Sequence, residues 1–392
     1  MPFGVAMLLC CKPGINPGQQ LLTELGGGAL ADSIKILYIG TYNEGKDNAD
    51  GKAPGVFIYE CNMNTGRLSY VGGSPYTMNP SYLFVDAERQ RLFAVNETGN
   101  ENRPSGMISA YRLTMQGRQM EFMNTVSSQG NSPCYITLDK TGMVVLCANY
   151  GSGTVAAFSI LNDGTVGEAL AAVQHTGKGP RPEQESAHAH MIIQSPHNDF
   201  VYACDLGTDN IYVYKLDTIK GLLVSTGLTY KTQSGAGPRH LAFHPTEHYA
   251  YVVNELNGTI EVMAADSLSG NLNRLQIVST LTGEMENEAS CADIHLTPAG
   301  NFLYASNRGK VNNLAMYAVD QVTGKLSLIG HQPVKGKTPR GFVIDPTGTF
   351  LLVANQDSDN VVTFRIDPST GKLIDTGFET SIPTPVCLKF LM

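Results

Sequence analysis

Short apolar runs alternate with polar turns along almost the whole chain, and one kind of run keeps returning. It ends in Ala or Val followed by Asn, or a close variant. The copies are Leu92-Phe93-Ala94-Val95-Asn96, Val145-Leu146-Cys147-Ala148-Asn149 and Val201-Tyr202-Ala203-Cys204-Asp205. They continue with Ala250-Tyr251-Val252-Val253-Asn254, Leu303-Tyr304-Ala305-Ser306-Asn307 and Leu351-Leu352-Val353-Ala354-Asn355. An earlier, seventh copy is Leu37-Tyr38-Ile39-Gly40-Thr41, and successive copies lie 48 to 56 residues apart. A Gly-centred turn recurs with the same count, at Gly66, Gly117, Gly164, Gly221, Gly270, Gly324 and Gly371. Glycine at such a turn supplies the positive φ that a tight hairpin needs. Between markers each unit reads as four short strands rich in β-branched and aromatic residues, with no sustained helical period. In the fifth unit the strands are predicted over 239–243, 249–254, 259–264 and 275–281.

Seven units of about 50 residues with four strands each predict an all-β, seven-bladed β-propeller. One unbroken period argues against a stack of separate β-sandwiches. The first copy starts at a second strand, over 36–40. The last segment, Pro385-Val386-Cys387-Leu388-Lys389-Phe390, resembles the first-strand pattern Pro238-Arg239-His240-Leu241-Ala242-Phe243. The C-terminal strand is therefore expected to complete blade one, closing the ring and covering a free sheet edge. Residues 34–392 are expected to form this single domain, preceded by a flexible lead-in over 1–33.

Composition adds bounds rather than a new picture. Charged residues are only 16 % of the chain and the formal net charge is −8. That balance argues against nucleic acid or an anionic membrane as a bulk partner. It leaves room for a small anion held by a few local arginines. No apolar run is long enough for a spanning helix. The eight cysteines are Cys10, Cys11, Cys61, Cys134, Cys147, Cys204, Cys291 and Cys387. Apart from the adjacent first two they show no metal-type pairing, and most sit in apolar runs, as buried thiols of a reducing compartment do. A cytoplasmic location is expected. The alternative is an exported or lipid-anchored form, because Met7-Leu8-Leu9-Cys10 faintly resembles a lipoprotein cleavage site. Its Leu before Cys10 and the absence of a preceding basic residue count against that.

Propeller geometry limits where chemistry can sit. Strand one lines the channel and strand two runs antiparallel to it. The start of one and the end of the other therefore open on the same rim. Aligning the units gives a first ring of Val386, Ser81, Cys134, His190, Arg239, Ala292 and Arg340. A second ring is Tyr42, Glu97, Tyr150, Leu206, Glu255, Arg308 and Gln356. These rings are chemically uneven. His190, Arg239, Glu255, Arg308 and Arg340 gather on blades four to seven. Guanidiniums suit a carboxylate or phosphate, and His and Glu suit proton transfer near neutral pH. Each also has an ordinary structural role open to it. Arg239 and Glu255 could be a plain ion pair between strands, Arg308 and Arg340 solvated rim charges, and His190 a packed histidine. Glu97 is the repeat equivalent of Glu255 but has no basic ring neighbour on its own blade. His244 belongs to a turn at the opposite rim, and His188 points to the other face if its segment is extended. The loops 175–187 and 43–54 are candidates to close over a ligand. No His/Cys/Asp/Glu set has metal-ligand spacing, so neither metal nor cofactor is expected.

Three segments carry a resemblance over roughly residues 34–392: Gly235-Ala236-Gly237-Pro238-Arg239-His240-Leu241, Tyr251-Val252-Val253-Asn254-Glu255-Leu256 and Tyr304-Ala305-Ser306-Asn307-Arg308-Gly309. They resemble the β-propeller family of 6-phosphogluconolactonases and 3-carboxy-cis,cis-muconate lactonising enzymes. The resemblance implies a catalytic His at His190, substrate-binding arginines at Arg239 and Arg308, and the acidic residue at Glu255. Arg340 joins them on the ring argument. The expected activity is lactone hydrolysis, on 6-phosphoglucono-δ-lactone first. His190 or Glu255 would be the base and Arg239 the oxyanion stabiliser, with Arg308, Arg340 and Glu97 on the substrate. One alternative is cyclisation of a carboxy-muconate by the same side chains. The other is a non-catalytic binding propeller, which would have a blander rim.

Overall fold

The computed structural model describes Met1 and residues 33–43, 55–75, 77–99, 105–197, 199–217, 220–283 and 288–392. The lead-in expected over 1–33, with Cys10 and Cys11, lies outside the described residues except at its two ends. So does the 43–54 loop beyond Asn43. Twenty-eight strands form seven separate four-stranded antiparallel sheets, and the described residues contain no α-helix. Blade one takes its inner strand from the C-terminus: Pro385–Phe390 pairs with Ile34–Thr41, with Leu37 opposite Phe390 and Gly40 opposite Cys387. The expected ring closure is present.

Blade five shows the common plan, with strands Pro238–Phe243, Tyr249–Asn254, Thr259–Ala265 and Leu272–Ser279. The fourth strand begins three residues and ends two residues earlier than the sequence pattern predicts. Second strands are packed on both faces, so Arg91–Asn96 and Phe350–Asn355 are buried throughout. A strand with two covered faces reads as a continuous apolar run. Outer strands such as Leu222–Lys231 alternate between buried and exposed, because one face meets solvent.

The recurring turn glycines have a packing role as well as a conformational one. All seven have φ between +65° and +90°. In addition, aromatics of one blade's second strand cover the turn of the next blade. A Cβ on Gly270 would lie 2.7 Å from Phe200, on Gly324 2.4 Å from Tyr249, and on Gly371 2.3 Å from Phe302. Buried tyrosines then donate to the turn carbonyls. Tyr38 reaches Gly117 O at 2.8 Å, Tyr202 Gly270 O at 3.0 Å, Tyr251 Gly324 O at 2.9 Å and Tyr304 Gly371 O at 2.8 Å. Thr363 Oγ1 makes the corresponding bond from blade seven to Gly66 O of blade one, at 3.1 Å. Blades are thus tied to each other by the same two markers that reveal the repeat.

Tyr304→Phe removes one such tie and leaves a buried carbonyl without its donor. It should lower the unfolding free energy by about 1–2 kcal/mol in a denaturant titration. Gly371→Ala should cost more, since it adds the clash with Phe302 to a strained φ.

Candidate active site

Six of the seven inner strands carry a register irregularity at their start. The ladder skips from Pro133 to Tyr135, Ala189 to Met191, Pro238 to His240, Cys291 to Ile294, Pro339 to Gly341 and Pro385 to Cys387. The residues left out of the ladder are Cys134, His190, Arg239, Ala292 with Asp293, Arg340 and Val386. Six of them are the first ring read from the repeats, and Asp293 is new. Only the inner strand of blade two, Tyr82–Asp86, pairs without a skip. A bulge inserts an unpaired residue and bends the strand, which re-aims a side chain at the end of a sheet. Local backbone geometry therefore gathers these side chains at one mouth.

Arg239, Glu255 and Arg308 form one buried cluster. Glu255 Oε2 lies 2.9 Å from Arg239 Nε, and Oε1 lies 2.7 Å from Arg308 Nη2. The Arg239 Nε–H is not directed at the oxygen, so that contact is coulombic rather than an aligned hydrogen bond. Arg239 Nη1 donates to Ala292 O at 2.5 Å. Arg308 also donates to Ser290 O and Cys291 O. Its side chain is 12 % exposed and that of Glu255 is 20 % exposed, so neither is a free rim charge. The ion pair between Arg239 and Glu255 is real, and Arg308 extends it across to blade six.

Glu97 has a basic partner after all, on another blade. Its Oε2 lies 3.6 Å from Arg340 Nη2 and accepts a hydrogen bond from Tyr42 Oη at 2.7 Å. The Arg340 guanidinium lies 5.2 Å from the centre of the Tyr42 ring. The three residues come from blades two, seven and one, which the closed ring places side by side. Three guanidiniums meet two carboxylates here, Arg239 and Arg308 sharing Glu255 and Arg340 facing Glu97.

His190 stands among these groups, 5 % exposed. Its Nδ1 lies 3.7 Å from Cys134 Sγ, and its ring meets Tyr150 and His240 edge-on at 5.5 and 5.3 Å. Burial first, then the charges of Arg239, His240 and Arg340, hold its pKa well below the usual imidazole value. His190 is thus neutral at physiological pH, and its Nε2 has no hydrogen-bond partner among the described residues. Burial alone would raise Glu255, but Arg308 and Arg239 outweigh it and keep the carboxylate ionised. Burial and Arg308 lower Arg239 to about 10, which leaves it charged.

Other expectations meet a mixed outcome. His188 precedes its strand, and its ring stacks on Tyr150 with centroids 4.6 Å apart, on the same rim as His190. His244 bonds Thr246 Oγ1 and Gly300 O within turns, as a structural residue. The 175–187 segment is docked rather than loose: His175 Nδ1 meets Asp205 at 2.7 Å, and the buried Gln184 donates to Leu206 O and Asp209. Among the described residues no group of three or more His, Cys, Asp and Glu is placed to hold a metal.

Sequence reasoning missed the floor of the site. Tyr82 stacks on Tyr135 at 4.2 Å, and both rings meet His240 edge-on at 5.9 and 5.4 Å. Blades two, three and five thus touch across the axis just below the ring. His240 and Asp293 lie one residue beyond the ring positions Arg239 and Ala292. The available signal was a His and an Asp directly after the ring positions, in the buried first halves of their strands.

Residues 36–390 match the family described as lactonase, 7-bladed β-propeller. A 6-phosphogluconolactonase of Bacillus subtilis is 34 % identical over 356 residues, covering 91 % of this chain and 98 % of the relative. One from Formosa agariphila is 32 % identical over 341 residues, covering 86 % and 94 %. The structure of a periplasmic gluconolactonase from Pseudomonas aeruginosa superposes with a TM-score of 0.85 at 30 % identity, covering 92 % of this chain and 99 % of that one. With its seven closed blades and its basic mouth built on the inner-strand bulges, this chain belongs to the seven-bladed β-propeller lactonase family.

Proposed function

We propose that this protein hydrolyses 6-phosphoglucono-δ-lactone to 6-phosphogluconate at the basic mouth. The observation that carries this reading is a neutral, buried imidazole set among three guanidiniums. The names of the relatives at 34 % and 32 % identity support the substrate. A lactone needs a base for water, a donor for the oxygen that becomes negative, and a place for its phosphate. His190 takes a proton from water as the water oxygen bonds to the ester carbonyl carbon. Arg239 stabilises the resulting oxyanion. As the ring C–O bond breaks, His190 returns the proton to the departing alkoxide. Arg308 and Arg340 hold the phosphate. Imidazolium is disfavoured beside guanidiniums, and the bound phosphate offsets that field and restores basicity to His190.

Glu255 makes a poor base, because both its oxygens face guanidiniums that stabilise its ionised form. Its role here is to align Arg239 and Arg308, as Glu97 aligns Arg340. Lys389, with Nζ 3.2 Å from Tyr82 Oη, lies in the floor and takes no step. The location that goes with this reading is cytoplasmic. Cys61, Cys134, Cys147, Cys204, Cys291 and Cys387 are all free and buried, which fits a reducing compartment.

Freshly generated 6-phosphoglucono-δ-lactone should be turned over far faster than unphosphorylated gluconolactone. His190→Ala should lower kcat by about 10²–10⁴-fold. Wild-type turnover of the phosphorylated lactone no faster than its spontaneous hydrolysis would overturn the reading. Arg308→Ala should raise KM for the phosphorylated lactone by about tenfold or more, with little change for the unphosphorylated one. Glu255→Gln should lose only about tenfold in kcat/KM, since the amide still accepts from one arginine. A loss in kcat as large as that of His190→Ala, at unchanged KM, would move the base to Glu255.

A further inference from the structure

We propose that His240 and Asp293 are positioning residues that set the orientation of the Arg239 guanidinium from below. The proposal rests on the lactonase reading only in taking Arg239 as the group that meets the oxyanion. The bulge between Cys291 and Ile294 releases two consecutive residues from the ladder. Both point back at blade five. The carbonyl of Ala292 accepts from Arg239 Nη1, and the carboxylate of Asp293 meets His240 Nδ1 at 2.9 Å. Asp293 is itself held in place. Its Oδ2 accepts from Phe342 N at 3.2 Å and faces His295 Nε2 at 3.0 Å, and its own N–H donates to Ser306 Oγ.

Donor and acceptor accounting then determines the tautomer. An ionised carboxylate only accepts, so His240 Nδ1 carries the proton. In a neutral ring Nε2 is then a lone-pair acceptor. It lies 3.3 Å from Arg239 Nη1. The two hydrogens of Nη1 are thus assigned, one to Ala292 O and one to His240 Nε2, while Nε faces Glu255. These two Nη1 contacts hold the guanidinium plane, and Nη2 has no partner among the described residues. Nη2 is the donor pair this arrangement leaves for a substrate oxygen. A protonated His240 would instead present a cation to Arg239 and, 5.3 Å away, to the His190 ring. Burial and the Arg239 charge keep the ring neutral, lowering its pKa to about 4 against the pull of Asp293 toward protonation. What Asp293 sets is the tautomer, the only neutral one compatible with a guanidinium on the other nitrogen. The edges of Tyr82 and Tyr135 keep the ring upright.

The test compares His240→Phe, which keeps the ring shape and loses both bonds, with His240→Gln, whose Oε1 reaches the Nε2 position as an acceptor. Phe should lower kcat by about 100-fold with KM changed less than about threefold, and Gln should recover to within about tenfold of wild type. In an Arg239→Ala background, His240→Phe should have little further effect on kcat. Equal losses for Phe and Gln, or full additivity with Arg239→Ala, would overturn the proposal. An independent readout needs no turnover. Nitrogen-15 spectra of histidine-labelled full-length protein, with the His240 signal assigned by its absence in His240→Gln, should show a neutral ring protonated at Nδ1 at pH 7. A ring protonated at Nε2 would overturn the proposal even where lactone turnover is intact. Wild-type inactivity on lactones together with the Nδ1–H ring would sink the lactonase reading and leave the positioning of Arg239 standing.

Discussion

The bulge at the start of the inner strands is the constraint on which the site depends. A regular antiparallel ladder would alternate its side chains between the two faces of each blade and hand half of the rim positions to the inter-blade core. Skipping one residue frees Cys134, His190, Arg239, Arg340 and Val386 from that alternation. Pro133, Ala189, Pro238, Pro339 and Pro385 stand immediately before these residues, and a proline there sacrifices no interior donor. The tight sheets behind, tied turn to turn by buried tyrosines, keep the irregular ends from relaxing. An irregular rim on a closed ring gives side chains that are free of the ladder yet held in place.

Charge is the second constraint. Three guanidiniums this close would repel one another, and burying them costs more unless they are paired. Glu255 solves this by standing between Arg239 and Arg308, and Glu97 by standing against Arg340 and Tyr42. Each links blades that are far apart in sequence: Glu255 joins Arg239 to Arg308, and Glu97 joins Arg340 through the ring closure. Burial, together with the charges of Arg239, His240 and Arg340, keeps His190 neutral. In the proposed reaction binding and basicity are coupled, because a ligand that neutralises the arginines also strengthens His190 as a base.

Below the mouth, side chains from different blades meet one another. Tyr82, Tyr135 and His240 pack together there. A buried polar floor is stable only when its bonds are complete. His240 achieves this with Asp293 on one nitrogen and Arg239 on the other. The same ring that packs against the floor tyrosines thereby also touches the guanidinium at the mouth.

Much of this was legible in the chain. The seven turn glycines and the Ala/Val-Asn strand ends gave the number of blades, and the likeness of Pro385–Phe390 to Pro238–Phe243 gave the closure. Aligned units differ only where a shared scaffold is not the reason for a residue, so His190, Arg239, Glu255, Arg308 and Arg340 stood out. Tertiary structure decided the rest. Glu97 looked unpartnered because its arginine is 243 positions away, brought near only when the last blade meets the first. His188 and Tyr150 share a face because the strand begins one residue later than an extended reading assumes. His240 and Asp293 were passed over as strand interior, since a bulge leaves no mark in hydrophobic periodicity. Local sequence dictates the blade, because strands and turns are set by near neighbours. Which charges compensate each other depends on distances across the ring, and only its closure sets those.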